Sequence, residues 1–388
     1  MIPVRYNIRS LAVRKATTLA TGLGIALVVF VLASALMLSA GIRKTLGISG
    51  KPDTAIVLRQ GSDAELGSLI EEPSVGIILA APGVKNEDGA PAGVGEVIVV
   101  GAMEKLGAIG VSNVQLRGVT DNVMKFRPEA KIIAGRVALA GSDEVIIGVR
   151  LRGRFKGLDI GQSFDIKKNR PVTVVGVFET GGSSYESEVW VDRDVLRAAY
   201  GRQGHVSSVR VHLDSAAAFD AFRIGIEENK QLGLMAMRES DYYERQSEGT
   251  SKFIGAMGTL IAVFFSMGAM IGAMITMYAA VANRQREIGT LRALGFSRGS
   301  ILTSFLLEAI ILAFAGGLVG AAASIGMGFV HFSMMNMASW SEIVFSFDPT
   351  PAILGRALAF AGIMGLLGGF FPALRASRVS PVAAMREA

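Results

Sequence analysis

The sequence contains no cysteine and only three histidines in 388 residues. Disulfide bonds and thiolate metal sites are therefore excluded, and a histidine-based metal site or catalytic triad has little material. Aromatic residues make up only 7% of the chain, whereas hydrophobic residues make up 51%. This aliphatic excess is too high for an ordinary soluble protein, and the 47 glycines suit closely packed membrane helices.

The motifs of common catalytic sites are missing from the sequence as well. There is no GxxxxGK(S/T) phosphate loop, no HExxH metal motif and no GxSxG nucleophile turn. We therefore expect a chain that is not itself an enzyme and that binds no cofactor or metal.

The net charge of +6 does not indicate a nucleic-acid partner. Between Arg43 and Lys252 there are 27 Lys/Arg against 28 Asp/Glu, so the positive excess lies in short segments beside apolar runs. A nucleic-acid-binding protein would instead need a basic patch on a folded domain.

Four apolar runs are long enough to cross a bilayer, which takes roughly 20 helical residues. They are residues 16–42, 253–283, 302–330 and 357–374. The first run has an alternative interpretation as a cleaved signal peptide, because basic residues precede it and Ala33-Ser34-Ala35 resembles a cleavage site. Its apolar stretch exceeds the roughly 7–15 residues of a signal-peptide core, so we interpret it as an uncleaved helix.

The distribution of basic residues orients these spans by the positive-inside rule. Basic residues cluster before the first run, between the second and third, and after the fourth, whereas residues 331–351 contain none. Both termini are therefore predicted to be cytoplasmic. The predicted segments are a cytoplasmic N-terminus (1–15), the first span (16–42), an extracytoplasmic domain with a stalk (43–252), the second span (253–283), a cytoplasmic coupling segment (284–299), the third span (300–330), a short outer loop (331–351), the fourth span (352–374) and a cytoplasmic tail (375–388).

The insert between the first two spans is long enough to bury a core of its own. It contains recurring β-rich runs with helical stretches between them, the clearest helix being 215–229. The predicted fold is thus a membrane protein with four transmembrane α-helices and a large α+β extracytoplasmic domain inserted between the first and second. The predicted strands are 54–59, 96–100, 113–119, 144–149, 172–178, 188–191 and 206–213.

The segment 284–299 is short, basic and spaced like a helix. As a helix it places Ile288, Leu291 and Leu294 near one side and most charged residues elsewhere. Taken alone, the same pattern is also compatible with a basic loop that only fixes the topology.

Several motifs together resemble the MacB/FtsX-like ABC transporter permeases (type VII, mechanotransmission). In the coupling segment the matching residues are Arg286-Glu287-Ile288-Gly289, Leu291-Arg292-Ala293 and Gly295. At the two ends they are Asn7, Arg9-Ser10-Leu11, Leu23-Gly24-Ile25-Ala26, Pro372-Ala373, Arg375-Ala376, Arg378, Pro381 and Met385-Arg386. In the insert they are Leu116-Arg117-Gly118-Val119, Ile133-Ala134-Gly135-Arg136, Gly161-Gln162 and Val174-Val175-Gly176-Val177-Phe178. MacB itself differs in carrying a fused ATPase domain, so the chain looks like a DevC-like or LolC/LolE-like subunit.

The resemblance implies a multi-pass permease of the bacterial inner (cytoplasmic) membrane with a periplasmic domain, present as a homodimer or beside a paralogous permease. A separate ABC ATPase subunit would use ATP and Mg²⁺. Its movement would pass through the coupling segment to the outer domain and drive export, with a membrane-fusion protein and an outer-membrane channel in tripartite assemblies. The implied ATPase-coupling residues are Arg286, Glu287, Ile288, Leu291, Arg292 and Leu294. Two alternatives stay open, a lipoprotein-release permease and an FtsX-like regulator of cell-wall hydrolases, and the substrate cannot be read from the sequence.

Two further features lie inside the predicted spans. Glu308 is the only acidic residue there, and because a charge in a membrane is costly it should face protein or water. A carboxylate satisfied by a neighbouring helix, a proton relay and a substrate contact are the alternatives. Glycine pairs at four-residue spacing predict close helix packing. They are Gly268 and Gly272, Gly316 and Gly320, and Gly365 and Gly369.

Overall fold

A computed structural model describes residues 11, 13–107 and 109–380. The predicted N-terminal segment 1–15 lies mostly outside these residues, and the tail motif from Pro381 onward lies wholly outside them. The helices are α1 (Lys15–Ser49), α2 (Glu72–Leu79), α3 (Val123–Phe126), α4 (Arg193–Tyr200), α5 (Phe219–Glu227), α6 (Glu239–Asn283), α7 (Gln285–Ala293), α8 (Arg298–Ile325) and α9 (Pro351–Ser377). The strands are β1 (Thr54–Arg59), β2 (Ile70–Glu71), β3 (Asn86–Glu87), β4 (Ala90–Pro91), β5 (Gly93–Glu104), β6 (Val111–Val119), β7 (Lys131–Gly135), β8 (Glu144–Gly148), β9 (Ser163–Lys167), β10 (Arg170–Glu179), β11 (Glu188–Asp192), β12 (His205–Val206), β13 (Ser208–His212), β14 (Leu234–Arg238), β15 (His331–Asn336) and β16 (Ser341–Ser346).

The chain divides into two compact units. The helical unit comprises residues 1–41, 251–330 and 346–388, and the sheet unit comprises 42–250 and 331–345. The boundaries after Gly41 and Thr250 fall inside α1 and α6.

Four helices, α1, α6, α8 and α9, are long and apolar enough by length and composition to cross a membrane. α1, α6 and α9 each contain a predicted span, whereas the third predicted span, 300–330, continues beyond the end of α8 at Ile325; only the second span ends where predicted, at Asn283. In particular, the predicted stalk and second span form one continuous helix, α6, which residues 238–252 allow because they contain no proline.

The core of the helical unit is aliphatic and small. Ile25, Val28 and Val29 of α1 pack with alanines of the other three long helices, and Met364 of α9 joins them. Small partners allow the helix backbones to approach closely, which is how membrane helices gain packing energy without a hydrophobic driving force.

The sheet unit is built on a ten-stranded sheet in the order β14-β1-β13-β5-β6-β11-β8-β10-β7, with β9 paired to β10. The β6–β11 and β8–β10 pairs are parallel and the other described pairs are antiparallel. Valine, isoleucine and leucine side chains from the strands form its core with Phe219 and Phe222 of α5. This is the predicted α+β domain.

All seven predicted strand regions contain strands, and 206–213 splits into β12 and β13.

The predicted outer loop 331–351 is not simply a loop, because it contains the hairpin β15–β16. The hairpin residues 331–345 belong to the sheet unit, where the Val344 backbone N–H donates to Ser187 Oγ at 3.1 Å and Glu342 accepts from Ser112 and Arg154. The residues of β15 and β16 do not alternate regularly between polar and apolar, so the sequence gave no strand signal here.

Candidate coupling site

The segment between α6 and α8 is a short helix with defined ends. Arg284 stands at its start, outside the helical region with a φ of −115°, and α7 follows at once. At its end, Gly295 adopts a left-handed φ of 93° and the Phe296 N–H donates to Leu291 O at 3.1 Å, a Schellman-type ending. Ser297 Oγ then accepts from the Ser300 N–H at 3.1 Å and caps α8. The predicted coupling segment is therefore a tight helical link between two long helices.

The inner face of α7 packs against the helices of its own unit. Ile288 is only 1% exposed and lies in a cluster with Val281, Ile301 and Phe305, and Leu291 packs against the same cluster. Ile288, one of the implied ATPase-coupling residues, is therefore covered by its own chain and Leu291 is partly covered, and their coupling role stays a prediction. An amphipathic pattern shows that a helix has an apolar side, but it does not show which surface covers that side.

The outer face of α7 carries Arg286, Glu287, Thr290 and Leu294, all of them exposed. Leu294 is 72% exposed and is the large apolar side chain that this face presents. Arg292 instead folds back, since its Nη1 donates to Phe296 O at 3.1 Å and thereby supports the turn before α8. Of the six predicted coupling residues, three thus lie on the outer face.

Arg284 joins the start of α7 to α8. Its Nη1 donates to Glu308 Oε2 at 3.0 Å, and its Nε donates to Glu287 Oε2 at 3.0 Å. Its guanidinium lies 5.1 Å from the centre of the Phe305 ring, within cation–π range. Arg284 and Glu308 are both buried, so each charge depends on its partners for solvation. These contacts favour the alternative in which a neighbouring helix satisfies the Glu308 carboxylate. In the sequence, Arg284 was only one of the basic residues between the second and third runs that indicate topology.

A small cavity of about 50 Å³ also borders Glu308. Its lining includes the hydroxyl-bearing residues Thr17, Thr21 and Thr276 and the backbone of Gly365. Thr21 and Thr276 are hydrogen-bonded to each other through their hydroxyls at 3.0 Å. Although most of the lining is apolar, a cavity of this size with several hydroxyl groups has room for water, which would give the carboxylate additional solvation.

The predicted glycine pairs differ in what surrounds them. A Cβ on Gly316 or Gly320 would lie within 2.6 or 2.2 Å of a backbone carbonyl oxygen of α1. A Cβ on Gly365 or Gly369 would lie within 2.5 or 2.4 Å of an alanine Cβ of α8. These four residues therefore permit close contact of α8 with α1 and of α9 with α8. A Cβ on Gly268 or Gly272 of α6 would meet no atom of the described residues within 4 Å, so their predicted packing is not made among those residues.

The sheet unit holds a second concentration of charge, which the sequence did not indicate. Four glutamates and three arginines are buried together, and these are Glu65, Glu96, Glu188, Glu239, Arg117, Arg127 and Arg210. We call them the buried ionic cluster. Arg117 contacts Glu188 at 2.6 Å and Glu96 at 2.8 Å, and Arg210 contacts both Glu65 and Glu96 at 2.7 Å. The members lie on separate strands and turns, so no local spacing could have revealed them.

The arginines of the buried ionic cluster lower the pKa of Glu96 and Glu65. Burial alone would raise the pKa of Glu96, but the charges of Arg127, Arg117 and Arg210 outweigh it and lower that pKa to about 2. Burial acts on Glu65 in the same way, and Arg117 and Arg210 again hold its pKa well below the ordinary value.

Within the described ranges, no group of three or more His, Asp or Glu side chains is arranged to hold a metal ion.

Comparison with known proteins identifies the family. Residues 16–228, more than half of the chain, match the family described as MacB-like periplasmic core domain. The chain belongs to the MacB/FtsX-like ABC transporter permeases. Residues 259–381 also match the family described as FtsX-like permease C-terminal. The coupling segment and Glu308 lie in this second match, and Glu239 lies between the two.

Known relatives of this permease include the uncharacterized ABC transporter permease YknZ of Bacillus subtilis (strain 168). It is 29% identical over 70% of this chain and 69% of the relative. The macrolide export ATP-binding/permease protein MacB of Burkholderia pseudomallei (strain K96243) is 30% identical over 56% of this chain and 33% of the relative. The MacB protein of Chromobacterium violaceum is 33% identical over 36% of this chain and 20% of the relative. The permease thus spans a third or less of the length of these two MacB relatives.

Two solved structures are similar to part of the permease. The extracellular domain of YknZ covers 47% of this chain and 99% of its own, with 19% identity and a TM-score of 0.35. The periplasmic region of MacB from Actinobacillus actinomycetemcomitans covers 53% and 97%, with 14% identity and a TM-score of 0.37.

Proposed function

We propose that this permease couples a separate ABC ATPase subunit, which uses ATP and Mg²⁺, to the sheet unit on the far side of the inner membrane, and that it drives export of a substrate across the cell envelope. The observation that carries the proposal is the two-sided character of α7. Its inner face is buried among α6, α8 and α9, and its outer face is polar around one exposed leucine.

This arrangement suits the transfer of force. A partner that moves α7 from its outer face also moves the ends of three long helices, because Ile288 and Arg284 hold α7 against them. Leu294 is the apolar anchor that a partner pocket would take, and Arg286 and Glu287 would fix orientation at the rim. Protein interfaces concentrate much of their binding energy in a few residues that are buried near the centre of the contact.

The orientation and partners belong to the same proposal. In the proposed orientation α7, the start of α1 and the end of α9 are cytoplasmic, both termini are inside and the sheet unit is periplasmic. The basic residues beside these parts support it by the positive-inside rule. A cysteine replacing the exposed Ser297 should then react with an impermeant thiol reagent only in opened cells, and one replacing the exposed Ser215 should react in intact spheroplasts. Labelling of Ser297→Cys from outside would refute this orientation.

A second permease copy fits the exposed character of α6. Only 11% of the most apolar part of α6 is buried within the chain, against 39% to 56% in the other three long helices. Lipid or a second copy would cover this surface, which includes the open Gly268 and Gly272. A membrane-fusion protein and an outer-membrane channel complete the proposed export assembly.

The proposal is tested by Leu294→Asp, with the ATPase that co-purifies with the unaltered permease as the probe. Loss of a central anchor costs about 2 kcal/mol or more, so affinity for the ATPase should fall by about 30-fold and stimulated ATP hydrolysis should fall with it. Leu291→Asp would be a less informative variant, because it would also disturb the packing of Leu291 inside the helical unit.

The matched control is Leu139→Asp, which makes the same change at an exposed leucine of the sheet unit. It should bind and stimulate the ATPase as the unaltered chain does. Full ATPase binding and stimulation by Leu294→Asp would refute the assignment of α7 as the docking element.

A further inference from the structure

The start of α6 and the end of α1 meet in the sheet unit at one carboxylate. Glu239 is the first residue of α6 and is 4% exposed. Its Oε1 accepts from Arg210 Nε at 2.8 Å and from the Tyr185 hydroxyl at 3.1 Å, and its Oε2 accepts from the Lys51 backbone N–H at 3.3 Å. One side chain therefore contacts strand β13, the turn before β11 and the segment that follows α1.

The backbones of the two helices also touch at this point. A Cβ on Gly50 would lie 2.5 Å from Glu239 O and 2.8 Å from Ser240 Cα, so only glycine permits the observed approach. Ser49, the last residue of α1, is bound to the same turn before β11. Its Oγ lies 2.9 Å from Ser184 Oγ and accepts from the Ser184 N–H at 2.9 Å.

The first turn of α6 is held in rotation as well as in position. The Tyr242 hydroxyl accepts from the Glu65 backbone N–H at 3.3 Å, and Arg210 Nη2 donates to the Tyr243 hydroxyl at 3.5 Å. Arg210 and Glu65 belong to the buried ionic cluster, which joins β5, β6, β11 and β13. The helix start is thus bonded to the middle of the sheet from several directions.

Buried charge is an expensive way to hold a helix, because well-packed apolar residues in place of a buried ion pair are often equally or more stable. What charged hydrogen bonds add is direction, since each fixes the angle as well as the distance between its partners.

We propose that Glu239 is a positioning residue that fastens the start of α6 and the end of α1 to the sheet as one rigid joint. Such a joint would transmit movement of the two helices to the sheet, and this consequence rests on the proposed function. The rigidity of the joint does not depend on it, and the two can be tested separately.

The test uses the full chain, whose lack of cysteine allows two spin labels to be placed without background. Labels at Gly249→Cys on α6 and Lys131→Cys on β7 both lie at exposed positions of the sheet unit. In the unaltered joint, their distance distribution should be narrow. Glu239→Gln removes the charge, and Gly50→Ala drives a methyl group against the α6 backbone, so each should broaden the distribution or shift its mean.

Each variant has a matched control. Glu244→Gln makes the same change at an exposed glutamate of α6, and Gly47→Ala makes the same change in α1 where nothing lies within 4 Å. Both controls should keep the narrow distribution. If Glu239→Gln fails to fold, Gly50→Ala still decides the question, because it leaves every charge in place.

A narrow, unshifted distribution in both Glu239→Gln and Gly50→Ala would overturn the rigid joint. This measurement needs no ATPase, so it does not depend on the proposed function. An unaltered chain that shows the rigid joint but binds no ATPase would refute the proposed function and support the joint.

Discussion

Glu308→Leu is the sharpest test of how α7 is held. The substitution removes a buried carboxylate whose Oε2 lies 3.0 Å from Arg284 Nη1. It leaves the guanidinium beside Phe305 without its buried counter-charge, while Glu287 is too exposed to replace it. Breaking a buried ion pair from one side typically costs about 3–5 kcal/mol.

The size of the effect should depend on what replaces the carboxylate. Glu308→Gln keeps an oxygen that accepts from Arg284 and should lose less than Glu308→Leu. The double variant Arg284→Met with Glu308→Leu removes both charges of this pair, so it should recover most of the lost stability. The exposed Glu287 can then be solvated by water.

The measurement is unfolding of the purified full chain in one fixed detergent, for the two single variants Glu308→Leu and Arg284→Met and their double variant. We expect a coupling free energy of about 2–3 kcal/mol between the two sites. Equal stability of Glu308→Leu and the unaltered chain, or additive effects in the double variant, would refute the argument that this ion pair holds α7 on α8.

Two further predictions concern pH and helix packing. Glu65 and Glu96 have a lower pKa folded than unfolded, so their contribution to stability is present above the ordinary glutamate pKa of 4.5 and is lost as the pH falls towards about 2. Fluorescence of the buried Trp190 should report a stable sheet unit above pH 4.5 and unfolding below it, and a loss of stability near neutral pH would contradict this. Gly320→Ala would place a methyl group 2.2 Å from Ala26 O and should destabilise the helical unit by roughly 1–3 kcal/mol. A methyl group at Gly272→Ala meets no described atom within 4 Å, so this variant should be neutral or stabilising in monomeric detergent preparations. Equal losses of stability in Gly320→Ala and Gly272→Ala would show that the contact between Gly320 and Ala26 does not matter.

Local patterns in the sequence predicted the long helices and most of the main strands. Long uncharged runs indicated the four long helices, since their length alone exceeds what a soluble helix needs. Alternation of valine and isoleucine with polar residues located the main strands, and β1 has the predicted ends. The hairpin β15–β16 was missed because its residues do not alternate regularly between polar and apolar.

The candidate coupling site was predicted only in outline. The motif at 286–295 located α7, because glycine after a basic, leucine-containing turn indicates where a helix ends. It could not assign Ile288 to the interior and Leu294 to the exterior, because that choice depends on where α8 and α9 pass.

By itself, the sequence determined that the chain has four apolar helices, a mixed α+β insert and a family resemblance, because each of these depends on residues that are close together along the chain. Only the tertiary structure decided the charge partners. Arg284 meets Glu308, and Arg210 meets Glu65 and Glu239, across separations of up to 145 residues. A charged residue in a sequence looks the same whether it is solvated at a surface or paired in a core. Only folding brings together the partners that offset the desolvation penalty of its burial.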